Sequence, residues 1–152
     1  MYYTMSDLSV NRRAYFDYEI LATYEAGIEL RGFEVKAVKA GRINLAGAYA
    51  LIRSNEAWLI NATIPPYQAA NTPADYDPTR SRRLLLHKNE IKELIGSSAQ
   101  KGLTIVPLKV YNKRGRLKLL LGLARHKKAA DKREAIKKRE AAHEIRRELK
   151  PQ

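Results

Sequence analysis

Leu103-Thr104-Ile105-Val106-Pro107-Leu108-Lys109-Val110-Tyr111, followed by Asn112-Lys113-Arg114-Gly115 and then Leu117-Lys118-Leu119-Leu120-Leu121-Gly122-Leu123-Ala124, is the stretch that decides the fold. Two apolar arms flank a polar, glycine-bearing turn, which is the pattern of a β-hairpin. Leu117, Leu119, Leu121 and Leu123 alternate along one face of the second arm, so that face is expected in the core. Pro107 has no N–H to give to a ladder, which places it at an edge or a bulge. Working outward, residues 48–53 and 57–63 read as a second hairpin around Ser54-Asn55-Glu56, and residues 18–24 as a further strand. Two short helices are expected. Leu30, Phe33, Ala37 and Val38 share one helical face before Gly41, and Ile91, Leu94 and Ile95 share another in a segment ending at Gly102. The fold class is therefore mainly β: a small antiparallel barrel of the oligonucleotide-binding type with two or three short helices outside it. A long segment from Ile64 to Arg83, bearing Pro65-Pro66, Thr72-Pro73 and Asp77-Pro78, is functional or flexible.

The charge is uneven. The chain has 152 residues, 29 Lys and Arg against 16 Asp and Glu, a net charge of +13, and no cysteine. Absence of cysteine removes disulfides, thiolate metal sites and cysteine nucleophiles together. The longest apolar runs, such as residues 119–121, are too short to span a membrane, and Met1-Tyr2-Tyr3-Thr4 lacks the layout of a signal peptide, so a cytoplasmic protein with no membrane partner is expected. Residues 1–124 hold 18 basic and 11 acidic side chains, whereas residues 125–152 hold 11 basic and 5 acidic. A boundary near Ala124 follows, with a barrel over 1–124 and a basic tail over 125–152. Beyond it Ile136, Ile145 and Leu149 are the only large apolar residues, too few to offset the entropy of ordering. Helix propensity is nonetheless high from about Asp131. The expectation is a tail that is disordered alone and becomes helical on contact.

So large a positive excess points to a polyanion, and to nucleic acid before an anionic membrane. Enzyme chemistry lacks its parts. His87, His126 and His143 are far apart, Arg147 stands where a second zincin histidine would be, and Gly96-Ser97-Ser98 is no nucleophile elbow. No catalytic residue, metal ligand or cofactor is expected. Three basic clusters remain: Asn11-Arg12-Arg13 with Tyr15, Phe16 and Tyr18 behind it, Arg80-Ser81-Arg82-Arg83 running into Leu84-Leu85-Leu86-His87, and the hairpin tip Lys113-Arg114-Gly115-Arg116. Cations beside aromatic faces suit an RNA with unpaired bases. The competing reading is a solvated surface whose aromatics join the core.

Asn11-Arg12-Arg13, Tyr24-Glu25-Ala26-Gly27-Ile28, Gly32-Phe33-Glu34-Val35-Lys36, Ala40-Gly41-Arg42-Ile43-Asn44-Leu45, Asp77-Pro78-Thr79-Arg80, Gly122-Leu123-Ala124 and Asp131-Lys132-Arg133-Glu134 stand in an order that resembles the SmpB family of SsrA-binding proteins. The resemblance covers nearly the whole chain. It implies a barrel that binds the tRNA-like domain of transfer-messenger RNA and helps rescue stalled ribosomes by trans-translation, with no catalysis of its own. It further implies a monomer, working with elongation factor Tu, whose tail enters the vacant mRNA channel of the small subunit near the decoding centre. Carried over by position, Asn11, Glu25 and Leu85 are implied in holding the RNA. Arg12, Arg13, Tyr18, Arg82, Arg83 and His87 join them as cluster members. Lys127, Lys128, Asp131, Lys132 and Arg133 are implied in ribosome contact, with His126, Lys137, Lys138 and Arg139 along the same tail.

One departure stands out. Many relatives carry an aromatic residue or histidine where this chain has Ala130, and often glycine where it has His126, so His126 is a candidate substitute about one helical turn earlier. The alternative to the adaptor reading is a basic ribosomal or ribosome-assembly protein with the same type of barrel, which stoichiometry on ribosomes separates from an adaptor.

Overall fold

The computed structural model describes residues 6–149. The reading of residues 1–4 as no signal peptide lies outside them. The chain runs β1 (Asp7–Val10), α1 (Arg12–Asp17), β2 (Tyr18–Ile28), α2 (Gly32–Lys39), β3 (Tyr49–Arg53), β4 (Glu56–Ile60), a 3-10 turn (Ala69–Asn71), β5 (Arg82–Leu85), α3 (Lys88–Ser98), β6 (Leu103–Lys113), β7 (Arg116–His126) and α4 (Ala129–Leu149). All pairings are antiparallel, in the order β1-β6-β3-β4-β5-β2-β7, and an additional β6–β7 pairing joins the two flanks so that the ladder closes into a ring of six strands with β1 outside it.

The deciding hairpin is β6–β7, paired from Leu103 opposite Arg125 down to Lys113 opposite Arg116. Its turn is tighter than the four polar residues suggest: Arg114 and Gly115 alone make it, with φ of 52° and 80°. The β3–β4 turn is likewise Ser54 and Asn55, with φ of 51° and 60°, and Glu56 is already in the strand. Two consecutive left-handed residues give the turn whose twist matches the flanking strands. Pro107 sits at a bulge, where the β6 register shifts between Pro107 and Lys109. It is not on an edge, because β1, β3 and β7 all pair with β6.

Three elements escaped the sequence reading: α1, β1 and β5. Others differ in extent. β2 continues to Ile28, and β4 stops at Ile60 because Asn61 turns left-handed (φ 64°). α2 starts at Gly32 and ends as expected at Gly41 (φ 77°), where Arg42 N–H donates to Ala37 O and Gly41 N–H to Val38 O, the double bond of a Schellman cap. In α3 only Leu94 is fully buried, and Ile95 faces solvent. β7 runs two residues past Ala124, so Arg125 and His126 pair with Glu19 and Tyr18 inside the sheet.

The core lies within the ring: Leu59, Leu84, Ile105, Val110, Leu119 and Leu121 are buried there with α2's Ala37 and Val38 and α3's Leu94. A smaller cluster of Ala14, Val106, Leu108 and Ala124 holds α1 against the outer face of β6 and β7. A side chain at Gly122 would crowd that cluster, since a Cβ there would lie 2.9 Å from Leu108 Cδ1 and 3.3 Å from Ile20 Cγ2.

Candidate RNA-binding surface

Two of the expected RNA contacts are buried. Arg82 is fully inside, and each of its five N–H groups has an internal acceptor: Glu34 Oε2 (2.8 Å), Ala62 O, Arg80 O, Pro78 O and the Tyr76 hydroxyl. It therefore has no donor left for phosphate, and its expected surface role is corrected to that of a buried anchor. Its partner Glu34 is equally buried and also accepts from Arg80 and from the backbone N–H of Arg31. Burial pushes the Glu34 carboxyl up, but the hydrogen bonds from Arg80, Arg31 and Arg82 outweigh it and hold the group at about 2. The Tyr76 hydroxyl lies 3.0 Å from Glu34 Oε2 and 2.8 Å from Ile64 O, and its ring meets Phe33 edge-on. This network ties the proline-bearing segment between Ile64 and Arg83 to α2.

Asn11 is the second. At 6% exposure, its Nδ2 donates to Leu45 O (3.2 Å) and to Pro107 O (2.8 Å), while its Oδ1 caps α1 by accepting from Ala14 N–H. The other members of that cluster reach the surface. Arg12 and Arg13 are exposed, Arg13 lying 3.4 Å from Asp17, and Tyr18 packs its ring on His126 at 4.3 Å between centroids.

At the far end of β2 the remaining candidates gather. Gly27 pairs with Leu85 and Ile28 with Leu84, so Leu85 emerges at the strand end, 47% exposed rather than buried with Leu84. It borders a cleft of about 340 Å³ shared with Leu30 and the cations Lys39, Arg116 and Lys118. A second cleft of about 630 Å³ shares Ile28 and Leu30 with the first and is walled by Arg31, Trp58, Arg80 and Arg83. Arg83 reaches Glu29 at 3.7 Å and Glu56 at 3.5 Å. Glu25 accepts from Tyr111 and from Lys113 (3.2 Å), which hold its carboxyl below the usual range, with the tyrosine contributing more. His87 is exposed at the start of α3, its N–H donating to Glu90. Sequence reasoning missed Arg31, Lys39, Trp58 and Lys118, because they come from the β2–α2 junction, α2, β4 and β7 and no linear cluster marks them.

The tail leaves from the opposite end. Lys127 N–H donates to Asp17 O and its Nζ to Tyr15 O, Lys132 Nζ lies 3.2 Å from Asp17, and the Arg139 guanidinium sits 5.4 Å from the Phe16 ring centre. Lys128, Asp131, Arg133, Lys137 and Lys138 lie along this segment, with Asp131, Arg133, Lys137 and Lys138 exposed on α4. Ten strand steps separate Tyr18 from Ile28, about 33 Å at the usual rise, so β2 sets the two surfaces apart. Among the described residues no cluster of His, Cys, Asp or Glu is arranged to hold a metal, and no helix is long and apolar enough to cross a membrane.

A closed antiparallel sheet with cation-walled clefts at one end and a charged helix leaving the other defines a small basic β protein with an appended helical arm. The family model described as SmpB protein matches residues 8–151. The SsrA-binding protein of Gloeothece citriformis (strain PCC 7424) is 56% identical over 140 residues, 92% of this chain and 90% of the relative. That of Thermosynechococcus vestitus is 53% identical over 143 residues, 94% of each chain. A solved chain from the structure described as "tmRNA-SmpB: a journey to the center of the bacterial ribosome" matches with a TM-score of 0.67 and 52% identity, covering 84% of this chain and 92% of that one. The chain belongs to the SmpB family.

Proposed function

We propose that this protein binds transfer-messenger RNA and brings it to stalled ribosomes for trans-translation, as a non-catalytic cytoplasmic adaptor. The RNA rests against the Leu85 end of β2, where Arg31, Lys39, Arg83, Arg116 and Lys118 offer phosphate contacts and Trp58, Leu30 and Leu85 offer apolar faces for bases and sugars. Glu25 accepts a base N–H there, since a carboxylate cannot attract phosphate, and His87 borders the same surface. The tail, as helix α4, enters the vacant mRNA channel and lines it with Lys132, Arg133, Lys137, Lys138 and Arg139. Its 21 residues span about 31 Å once helical. The protein acts as a monomer alongside elongation factor Tu.

The observation that carries this reading is the placement of the two cationic surfaces at opposite ends of β2, in a chain of this family. One end can hold an RNA while the other projects a helix into a separate RNA-walled space. Trp58 is the chain's single tryptophan, so it reports on the proposed surface directly. Titration with the tRNA-like domain of transfer-messenger RNA should quench or shift its fluorescence, and Leu85→Asp should weaken that binding at least tenfold. Tight binding with unchanged Trp58 emission and no effect of Leu85→Asp would move the RNA elsewhere.

A further inference from the structure

Away from the Leu85 surface, a cleft of about 510 Å³ lies between α1 and the segment leading into β3. Its lining combines three chemistries. Tyr18 and Tyr49 come from two different elements, Tyr49 being 39% exposed. Ala14, Ala48 and Val106 supply an apolar floor, each buried. Arg13, 79% exposed, and Asp17 stand at the rim, with Thr104 contributing a hydroxyl.

The walls are held in place by one buried side chain. Asn11 bonds to Leu45 O, at the root of the segment carrying Ala46, Gly47 and Ala48, to Pro107 O in the β6 bulge, and to the first turn of α1. The three elements that form the cleft thus meet at one amide. Such preorganisation lowers the ordering cost of binding.

We infer that this cleft is a pocket for one unpaired nucleotide of an RNA, with the base against Tyr18 and Tyr49 and its phosphate toward Arg13. The volume falls within the range of small-ligand sites, and splayed-out bases on aromatic side chains are the usual means of reading single-stranded RNA. Asp17 sets the preference. Its carboxyl, pushed up by partial burial but held below the usual range by Lys132 and then Arg13, is an acceptor only. Guanine presents adjacent N1–H and N2–H groups to such an acceptor, while adenine places a ring acceptor beside its amino group. Asn11 is a positioning residue, acting through the width of the cleft.

The inference rests on the RNA-binding reading, and its test uses mononucleotides so that the two can fail separately. Amide NMR of the full chain, titrated with 5′-GMP, 5′-AMP and inorganic phosphate, should move Ala14, Asp17, Gly47 and Thr104 with GMP, less with AMP, and not with phosphate. Tyr49→Ala should weaken GMP binding at least about fivefold, as loss of a base–aromatic stack does, while Asp17→Asn should erase the preference for GMP over AMP. Equal shifts with phosphate alone, or millimolar GMP leaving these amides unmoved, would overturn the pocket even in a protein that still binds the tRNA-like domain. Loss of that RNA binding alongside intact GMP shifts would instead overturn the function proposed above.

Discussion

Residue 82 illustrates how a charge in a linear cluster can belong to the interior. In Arg80-Ser81-Arg82-Arg83-Leu84-Leu85 the signal was present, because a strand alternates its faces: Arg82 and Leu84 point inward, while Arg83 and Leu85 reach the surface. Glu34 carried a matching signal, sharing a helical face with Ala37 and Val38. Neither residue reveals its partner in sequence, since 48 positions separate them. Removing one member of a buried pair leaves the other uncompensated, so Arg82→Met should cost about 3–5 kcal/mol and lower the melting temperature by about 10 °C. The double variant with Glu34→Leu should recover part of this. Loss of RNA affinity by Arg82→Met without loss of stability would return the arginine to the surface. The same pair sets the acid limit. The Glu34 pKa is depressed in the folded state, from 4.5 to about 2, so its contribution is complete above pH 4.5 and disappears as the pH falls from there through 2. This corresponds to about 3 kcal/mol. Urea unfolding across that range should show the decline, and Glu34→Gln should flatten it.

At the scale of elements, β6–β7 and β3–β4 were legible because their period of two and their turn residues agree. The shorter β1 and β5 were not, having only four residues each and no turn chemistry of their own. The helix α1 was hidden for a different reason. Its aromatics read equally well as exposed or as core, and what stabilises it is the Asn11 cap together with Ala14 seated on Val106, Leu108 and Ala124. Leu108 in turn packs close to Gly122, where an added Cβ would lie 2.9 Å from its Cδ1 and 3.3 Å from Ile20 Cγ2. Gly122→Val should therefore overpack the contact and lower stability by about 1–3 kcal/mol. The urea midpoint should fall with an unchanged denaturant slope, and an unchanged midpoint would show the gap to be larger than the geometry gives. His126, the candidate substitute for an aromatic at position 130, is occupied by Tyr18 in this arrangement.

For the whole molecule, charge suggests a body and a tail that meet near Ala124, and β7 carries on two residues past that point to pair with Tyr18. The proposed RNA surface was less legible. Leu85 and Arg83 were named, but Trp58, Arg31 and Lys118 join them only through strand register and the approach of α2's neighbouring loop. Among the described residues, α4 meets α1 through the Lys132–Asp17 ion pair and the Arg139 guanidinium over Phe16, with Lys127 just before it bonded to Asp17 and Tyr15; a surface ion pair contributes about 0–1 kcal/mol. The proposed division of labour requires these contacts to be given up when the tail enters a ribosomal site. The direct measurement is deletion of residues 131–152, followed by two assays on the same protein: affinity for the tRNA-like domain of transfer-messenger RNA and peptide tagging on stalled ribosomes. Affinity within about threefold of the full chain (under 1 kcal/mol) together with abolished tagging is the predicted result. Lost affinity with tagging preserved would contradict the account.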